Sequence, residues 1–131
     1  IINNTPISGD FKKEFYSLFK RLTRYFKDHP YYVVVVFSEG LLDESAQISE
    51  KILQLMNTLT RHVQSLIDIG QKILLITDLL TPEQIAQIII PAFRHQMFKW
   101  KIANFESDIE RNIESLLFSL LELLKVHKRL T

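Results

Sequence analysis

The sequence predicts an all-α fold, a bundle of five to six helices forming one domain over residues 1–131. Apolar residues recur at steps of three and four along several long segments, which is the period of an amphipathic helix. Two segments, at Thr81 and at Ser107, carry helix-start signals. The segment 30–39 is apolar on every side if it is helical, so we expect it to form a central buried helix.

The first helix is predicted over residues 10–27, because its Phe, Leu and Tyr residues share one face while Lys and Arg lie elsewhere. Pro30 then starts a new element, since proline disfavours helical geometry at the residue before it. Residues 31–37 are β-branched and aromatic, and together with 72–77 they could instead form two strands. An isolated two-stranded sheet is only marginally stable, so we favour the helix.

A longer helix is predicted from Asp43 to about Ile69, with Gly70 as its terminator. An apolar connector over residues 71–80 follows it. Thr81 is then expected to cap a helix that runs to about residue 103 and is kinked by Pro91. A capping box over 107–110 is expected to open the last helix, which continues to about residue 128.

The composition excludes several functional classes. The net charge of +1 argues against binding of nucleic acid by these residues through phosphate contacts. The absence of cysteine removes disulfides, thiolate metal sites and a thiol nucleophile, and it suits a cytoplasmic protein. No apolar run approaches the roughly 20 residues of a membrane span, so no membrane partner is expected. The chain begins without Met or a signal pattern, and we expect it to be a fragment.

Several segments follow one another in an order that is found in a known family. They are Tyr25-Phe26-Lys27-Asp28-His29-Pro30 ending the first helix, Phe37-Ser38-Glu39 ending the apolar helix, Leu66-Ile67-Asp68-Ile69-Gly70-Gln71-Lys72 ending the long helix, and Leu80-Thr81-Pro82-Glu83-Gln84-Ile85-Ala86 starting the next. With its final pair of long helices, the chain resembles the effector-binding and dimerisation domain of TetR-family transcriptional regulators. The resemblance covers essentially the whole chain.

The resemblance implies a homodimer in which the last two helices of each copy form a four-helix interface. It also implies an N-terminal helix-turn-helix, absent from this chain, that would bind operator DNA. Such regulators are usually repressors, released when a small apolar effector enters the bundle and shifts the dimer to a geometry that does not fit both half-sites.

An effector pocket in such a bundle would be lined mainly by apolar side chains with a few polar groups. The aromatic residues at helical spacing suit this role, although such stripes more often form plain core. Gln96 lies within the apolar face of its helix and would orient a ligand or bond across the dimer. His62 lies at the edge of an apolar face. The candidate pocket residues are Phe15, Phe19, Phe26, Phe37, Leu59, His62, Leu66, Phe93, Gln96 and Met97.

The dimer interface is expected on the last two helices. Phe118 stands beside charged residues on the polar side of its helix, which is typical of an interface position. The candidate interface residues are Ile89, Trp100, Ile113, Leu117, Phe118, Leu120, Leu121 and Leu124.

No catalytic or metal site is predicted, and no cofactor. The four histidines lie on four separate predicted elements and show no metal-ligand spacing. With only three glycines, the chain has no phosphate-binding loop, and no Ser-His-Asp order is present. Two alternatives to a ligand-sensing regulator stay open: a structural dimerisation module with a filled core, and a carrier of lipid or another apolar ligand.

Overall fold

A computed structural model describes residues 8–30 and 46–126, and these residues contain four helices. They are α1 (Ser8–Asp28), α2 (Ala46–Lys72), α3 (Pro82–Ile102) and α4 (Ile109–Leu124). The all-α prediction is confirmed for these ranges, in which no strand forms. The apolar helix predicted over residues 30–39 lies outside the described residues except for Pro30, so the count of five to six helices stays a prediction.

The four helices close a ring around one hydrophobic core. α1 packs against α2 and α4, and α3 packs against the same two helices from the other side. The rings of Phe19 on α1 and Phe93 on α3 meet across the centre, with their centroids 5.3 Å apart. Because each helix contributes only its inward face to this core, the outward faces of α3 and α4 are left for solvent or a partner.

α1 places its phenylalanines inside the ring, as its sequence pattern predicts. Phe11, Phe15, Phe19 and Phe26 are at most 4% exposed. Burying one such side chain stabilises the fold by roughly 1.5–3 kcal/mol, so this row is a large part of the core. Asp28 is the last helical residue, because Pro30 restricts the backbone of His29.

The predicted role of Gly70 as a helix terminator is wrong, because α2 continues to Lys72. A Cβ atom on Gly70 would lie 2.6 Å from Cγ1 of Ile76 and 2.9 Å from a ring carbon of Phe11. Glycine is therefore required here for close packing between α1, α2 and the connector. The turn that ends α2 is made instead by Leu74, whose φ of 61° lies in the left-handed region.

Leu74 completes a Schellman motif. The amide of Leu75 donates to the carbonyl of Gly70 (2.9 Å), and the amide of Leu74 donates to the backbone carbonyl of Gln71 (3.1 Å). The side chain of Gln71 then donates to the carbonyls of Thr77 (3.0 Å) and Leu80 (2.8 Å). These bonds hold the connector against the end of α2.

α3 begins as predicted. Thr81 and Gln84 form a reciprocal capping box, and Pro91 is accommodated inside the helix. α3 ends in a second Schellman motif, in which the amide of Phe105 donates to the carbonyl of Trp100 (2.9 Å). The rings of these two residues meet edge to face with centroids 4.7 Å apart, which is the apolar contact expected of this motif.

α4 differs from its prediction at both ends. Its N-cap is Asp108 rather than Ser107, and the Asp108 carboxylate accepts from the amide of Arg111 (3.2 Å). The helix ends at Leu124 instead of continuing to about residue 128, because Lys125 turns extended and forms an isolated antiparallel bridge with Ile76. The tail after α4 is therefore tied to the connector, and residues 127–131 lie outside the described residues.

None of the helices in the described ranges combines the length and the apolar character that a membrane span requires.

Candidate functional site

The predicted pocket residues divide into a buried group and an outer group. The buried ones, which belong to the central core, are Phe15, Phe19, Phe26, Leu59, Leu66, Phe93 and Met97. Gln96 is half-buried at the edge of the inward face of α3, and His62 is exposed on α2. Phe37 lies outside the described residues. The structure therefore brings the apolar candidates together and leaves His62 apart from them.

The aromatic members of the buried group pack directly on one another. Ring centroids are 6.0 Å apart for Phe11 and Phe15, and 5.3 Å apart for Phe15 and Phe19. The contact of Phe19 with Phe93 continues this row onto α3. Such distances are those of favourable aromatic pairs, so in this conformation the rings fill the space between them.

The indole nitrogen of Trp100 is a buried polar atom with no acceptor among the described residues. Its side chain is 3% exposed, on the inward face of α3 near the start of α4.

The residues predicted for the dimer interface are mostly core residues of a single copy. The buried ones are Ile89, Trp100, Ile113, Leu117, Leu120, Leu121 and Leu124. Phe118 differs, since 60% of its surface is exposed on the outer side of α4. A second copy would first meet Phe118 and the exposed residues around it, and the interface itself stays a prediction.

An exposed row on α3, which we call the α3 seam, was missed by the sequence analysis. Its members, spaced alternately three and four residues apart, are Ile88, Pro91, His95, Phe98 and Ile102. Ile88 and Phe98 are each 41% exposed, and Ile102 is 62% exposed. The seam lies opposite the core face of α3, so this helix is apolar on two sides. The alternating spacing could have revealed it, but the broader core face of the same helix obscured the pattern.

A cleft of about 230 Å³ separates α1 from α4, and the sequence analysis did not predict it. Its lining residues, one helical face from each wall, are Tyr16, Lys20 and Thr23 on α1 and Glu110, Glu114 and Leu117 on α4. A second, more open depression of about 390 Å³ shares Tyr16 and Glu114 and extends outward to Phe118.

The cleft has a buried floor, and one of its ends is closed by ion pairs. Leu117 and Thr23 are each 1% exposed, and the Thr23 hydroxyl donates to the carbonyl of Phe19 (2.7 Å). At the end nearer the start of α4, Glu110 binds Lys27 (3.1 Å) and lies 3.9 Å from Arg24. This pairing ties the end of α1 to the start of α4.

The Tyr16 phenol in this cleft lies within the influence of two carboxylates, Glu114 and Glu122. Burial raises the pKa of the Tyr16 phenol, and the charges of Glu114 and Glu122 raise it further. Even at its ordinary pKa of 10.0 the phenol is protonated at neutral pH, so it can donate one hydrogen bond. In the described part of the chain, neither Lys20 nor Glu114 forms an ion pair within 4 Å.

Across residues 8–30 and 46–126, no three His, Asp or Glu side chains are grouped so that they could hold a metal ion. No family model, no curated protein and no solved structure matches this chain.

Proposed function

We propose that this chain is the effector-binding and dimerisation domain of a TetR-family transcriptional regulator, most simply a repressor. It would act in the cytoplasm as a homodimer and would bind operator DNA through an N-terminal helix-turn-helix that these residues do not include. The proposal is supported by the order of sequence motifs given above and by the all-α ring of helices.

The α3 seam is the observation that carries the proposal. A helix that is apolar on two opposite faces is normally covered on both, because exposed apolar rows are unfavourable in water. Steps of three and four residues are also the spacing with which one helix packs along another. A second copy, related by a two-fold axis, would cover this seam with its own α3 seam. The α3 and α4 helices of both copies would then lie in one four-helix interface.

Burial of the apolar seam residues would favour this association. Complete burial of a Phe or Ile side chain is worth roughly 1.5–3 kcal/mol. The side chains of Ile88, Phe98 and Ile102 are already partly buried in one copy, so each can gain only part of this value. Ile88, Phe98 and Ile102 from two copies give six such side chains. The opposing loss of translational and rotational freedom is about 4–15 kcal/mol. Phe118 and Leu123 on α4, 60% and 70% exposed, would add to the buried area.

Charge substitutions in the seam test this interface. Phe98→Glu and Ile102→Glu each place carboxylates in the seam of both copies, and we expect the dimer to dissociate while helix content is retained. Leu79→Glu is the matched control, because Leu79 is 77% exposed but lies on the connector. Sedimentation velocity should show monomers for the seam variants and dimers for Leu79→Glu. If the seam variants stay dimeric, the proposed interface is wrong.

The packed aromatic rings favour a second candidate, a structural dimerisation module without an effector. The two candidates differ in their response to ligands, because a compound that binds only the folded state raises the melting temperature. A panel of small compounds with apolar groups, uncharged and zwitterionic, screened by melting curves at fixed protein concentration, separates them. Concentration-dependent stabilisation by a member of the panel supports the sensing domain, and a dimer indifferent to all of them supports the structural module.

A further inference from the structure

The cleft between α1 and α4 combines an apolar floor with two opposite charges that lack partners in the described part of the chain. Leu117 and Thr23 form the floor, and the Tyr16 ring forms one wall. Lys20 stands on the α1 side and Glu114 on the α4 side. Its volume of about 230 Å³ is slightly below the roughly 300 Å³ at which typical ligand pockets begin, so it suits a ligand of amino-acid size.

The charges on the two walls restrict the class of ligand. A purely cationic ligand beside Glu114 would also lie close to Lys20 and be repelled by it. A purely anionic ligand beside Lys20 would meet the carboxylates of Glu114 and Glu110. Because Glu110 already binds Lys27 and Arg24, Glu114 is the wall carboxylate left for a ligand. A ligand with one charge of each sign meets both walls favourably.

We propose that this cleft binds a small zwitterion with an apolar side chain, of the amino-acid class. Glu114 accepts from the ligand ammonium group, Lys20 donates to its carboxylate, and the apolar part rests on Leu117 beside the Tyr16 ring. The protonated Tyr16 phenol is a further donor at this end of the cleft.

The position of the cleft gives binding a structural consequence, and this part of the inference rests on the proposed function. One wall belongs to α4, which would take part in the dimer interface. The other wall belongs to α1, the first described helix. A ligand between them sets the separation of these two helices, and a ligand with higher affinity for one separation shifts the population of dimers toward it.

Three probes with the same phenyl ring test the charge requirement on the 131-residue chain. They are L-phenylalanine (zwitterion), phenethylamine (cation) and 3-phenylpropionate (anion), each titrated while amide chemical shifts are followed. We expect saturable shifts at Tyr16 and Leu117 with L-phenylalanine and weaker binding of the two singly charged probes. Since these side chains are exposed, Lys20→Met and Glu114→Gln should each weaken L-phenylalanine binding by about fivefold.

Lys20→Met and Glu114→Gln should also change which of the singly charged probes the cleft binds better. Phenethylamine should bind Lys20→Met better than the unmodified chain, and 3-phenylpropionate should bind Glu114→Gln better. Lys12→Met and Glu83→Gln are the matched controls, because both side chains are exposed and neither lines the cleft. No saturable response to L-phenylalanine, or equal losses in the controls, would overturn the inference. Phenethylamine binding as tightly as L-phenylalanine, without an effect of Lys20→Met, would overturn it in favour of an amine site.

Measuring the mass of the same samples separates this inference from the proposed function. A dimer that does not respond to L-phenylalanine removes the cleft inference and leaves the dimerisation domain in place. A monomer that binds L-phenylalanine retains the cleft as a site and removes the proposed dimer.

Discussion

Replacing Gly70 by alanine tests how closely α1, α2 and the connector pack. The new Cβ would lie 2.6 Å from Cγ1 of Ile76 and within 3.0 Å of two ring carbons of Phe11. Carbon atoms in contact prefer separations of about 3.5–4.0 Å, so the neighbours must move by roughly 1 Å. Both are at most 2% exposed and have little free space in which to move.

The magnitude follows from two opposing terms. Overpacking of a core costs about 1–3 kcal/mol, and two buried neighbours place this site near the upper value. Alanine is better than glycine inside a helix by about 1 kcal/mol. We therefore expect Gly70→Ala to lower the free energy of unfolding by about 2 kcal/mol, which corresponds to a melting temperature lower by roughly 6–10 °C.

Urea unfolding followed by circular dichroism at one fixed protein concentration measures this change. Asn57→Ala on the exposed side of α2 is the matched control and should stabilise the fold by a few tenths of a kcal/mol through helix propensity alone. In a double-mutant cycle with Ile76→Ala, which removes the contacting atom, Gly70→Ala should be less damaging. A Gly70→Ala chain as stable as the unmodified one would refute the close packing.

Two further predictions concern the cap of α4 and the titration of the cleft. Asp108→Ala should lower the free energy of unfolding by about 1 kcal/mol in urea unfolding, whereas Ser107→Ala should leave it nearly unchanged; the reverse order would restore Ser107 as the cap. Because the pKa of Tyr16 is raised in the folded state, its contribution to stability is present below the ordinary pKa of 10.0 and is lost as the pH rises through the folded value. Absorbance titration near 295 nm, with Tyr16→Phe as the reference, measures the pKa of Tyr16. Glu114→Gln should reverse only part of the upward shift, since burial is the larger cause. An unchanged pKa in Glu114→Gln would show that the Glu114 carboxylate does not act on Tyr16.

The positions of the four helices in the described ranges could be predicted from the sequence because they depend on local periodicity and caps. The Thr81 capping box and the inward phenylalanines of α1 are of this kind. The helix ends depend on contacts between distant residues. Gly70 serves close packing against Phe11 and Ile76 and does not end α2, which continues to Lys72. α4 stops at Leu124, where Lys125 pairs with Ile76. Neither constraint is visible in the local sequence.

The candidate site was harder to predict than the fold. Periodicity identifies which residues face inward, and it does not distinguish a cavity wall from a filled core. Phe19 and Phe93 suit both roles in the sequence, yet their rings are in contact in the structure. The cleft is lined by Lys20 on α1 and Glu114 on α4, two residues that are far apart in the sequence. That arrangement follows only from the packing of α1 against α4.

Sedimentation equilibrium of the unmodified chain over a wide range of protein concentration tests the central claim most directly. A dimer formed through the α3 seam predicts a mass of twice the 15.4 kDa of one chain, with dissociation only on strong dilution. A single species of 15.4 kDa at every concentration would contradict the proposed interface, and with it the assignment of the chain as a dimerisation domain.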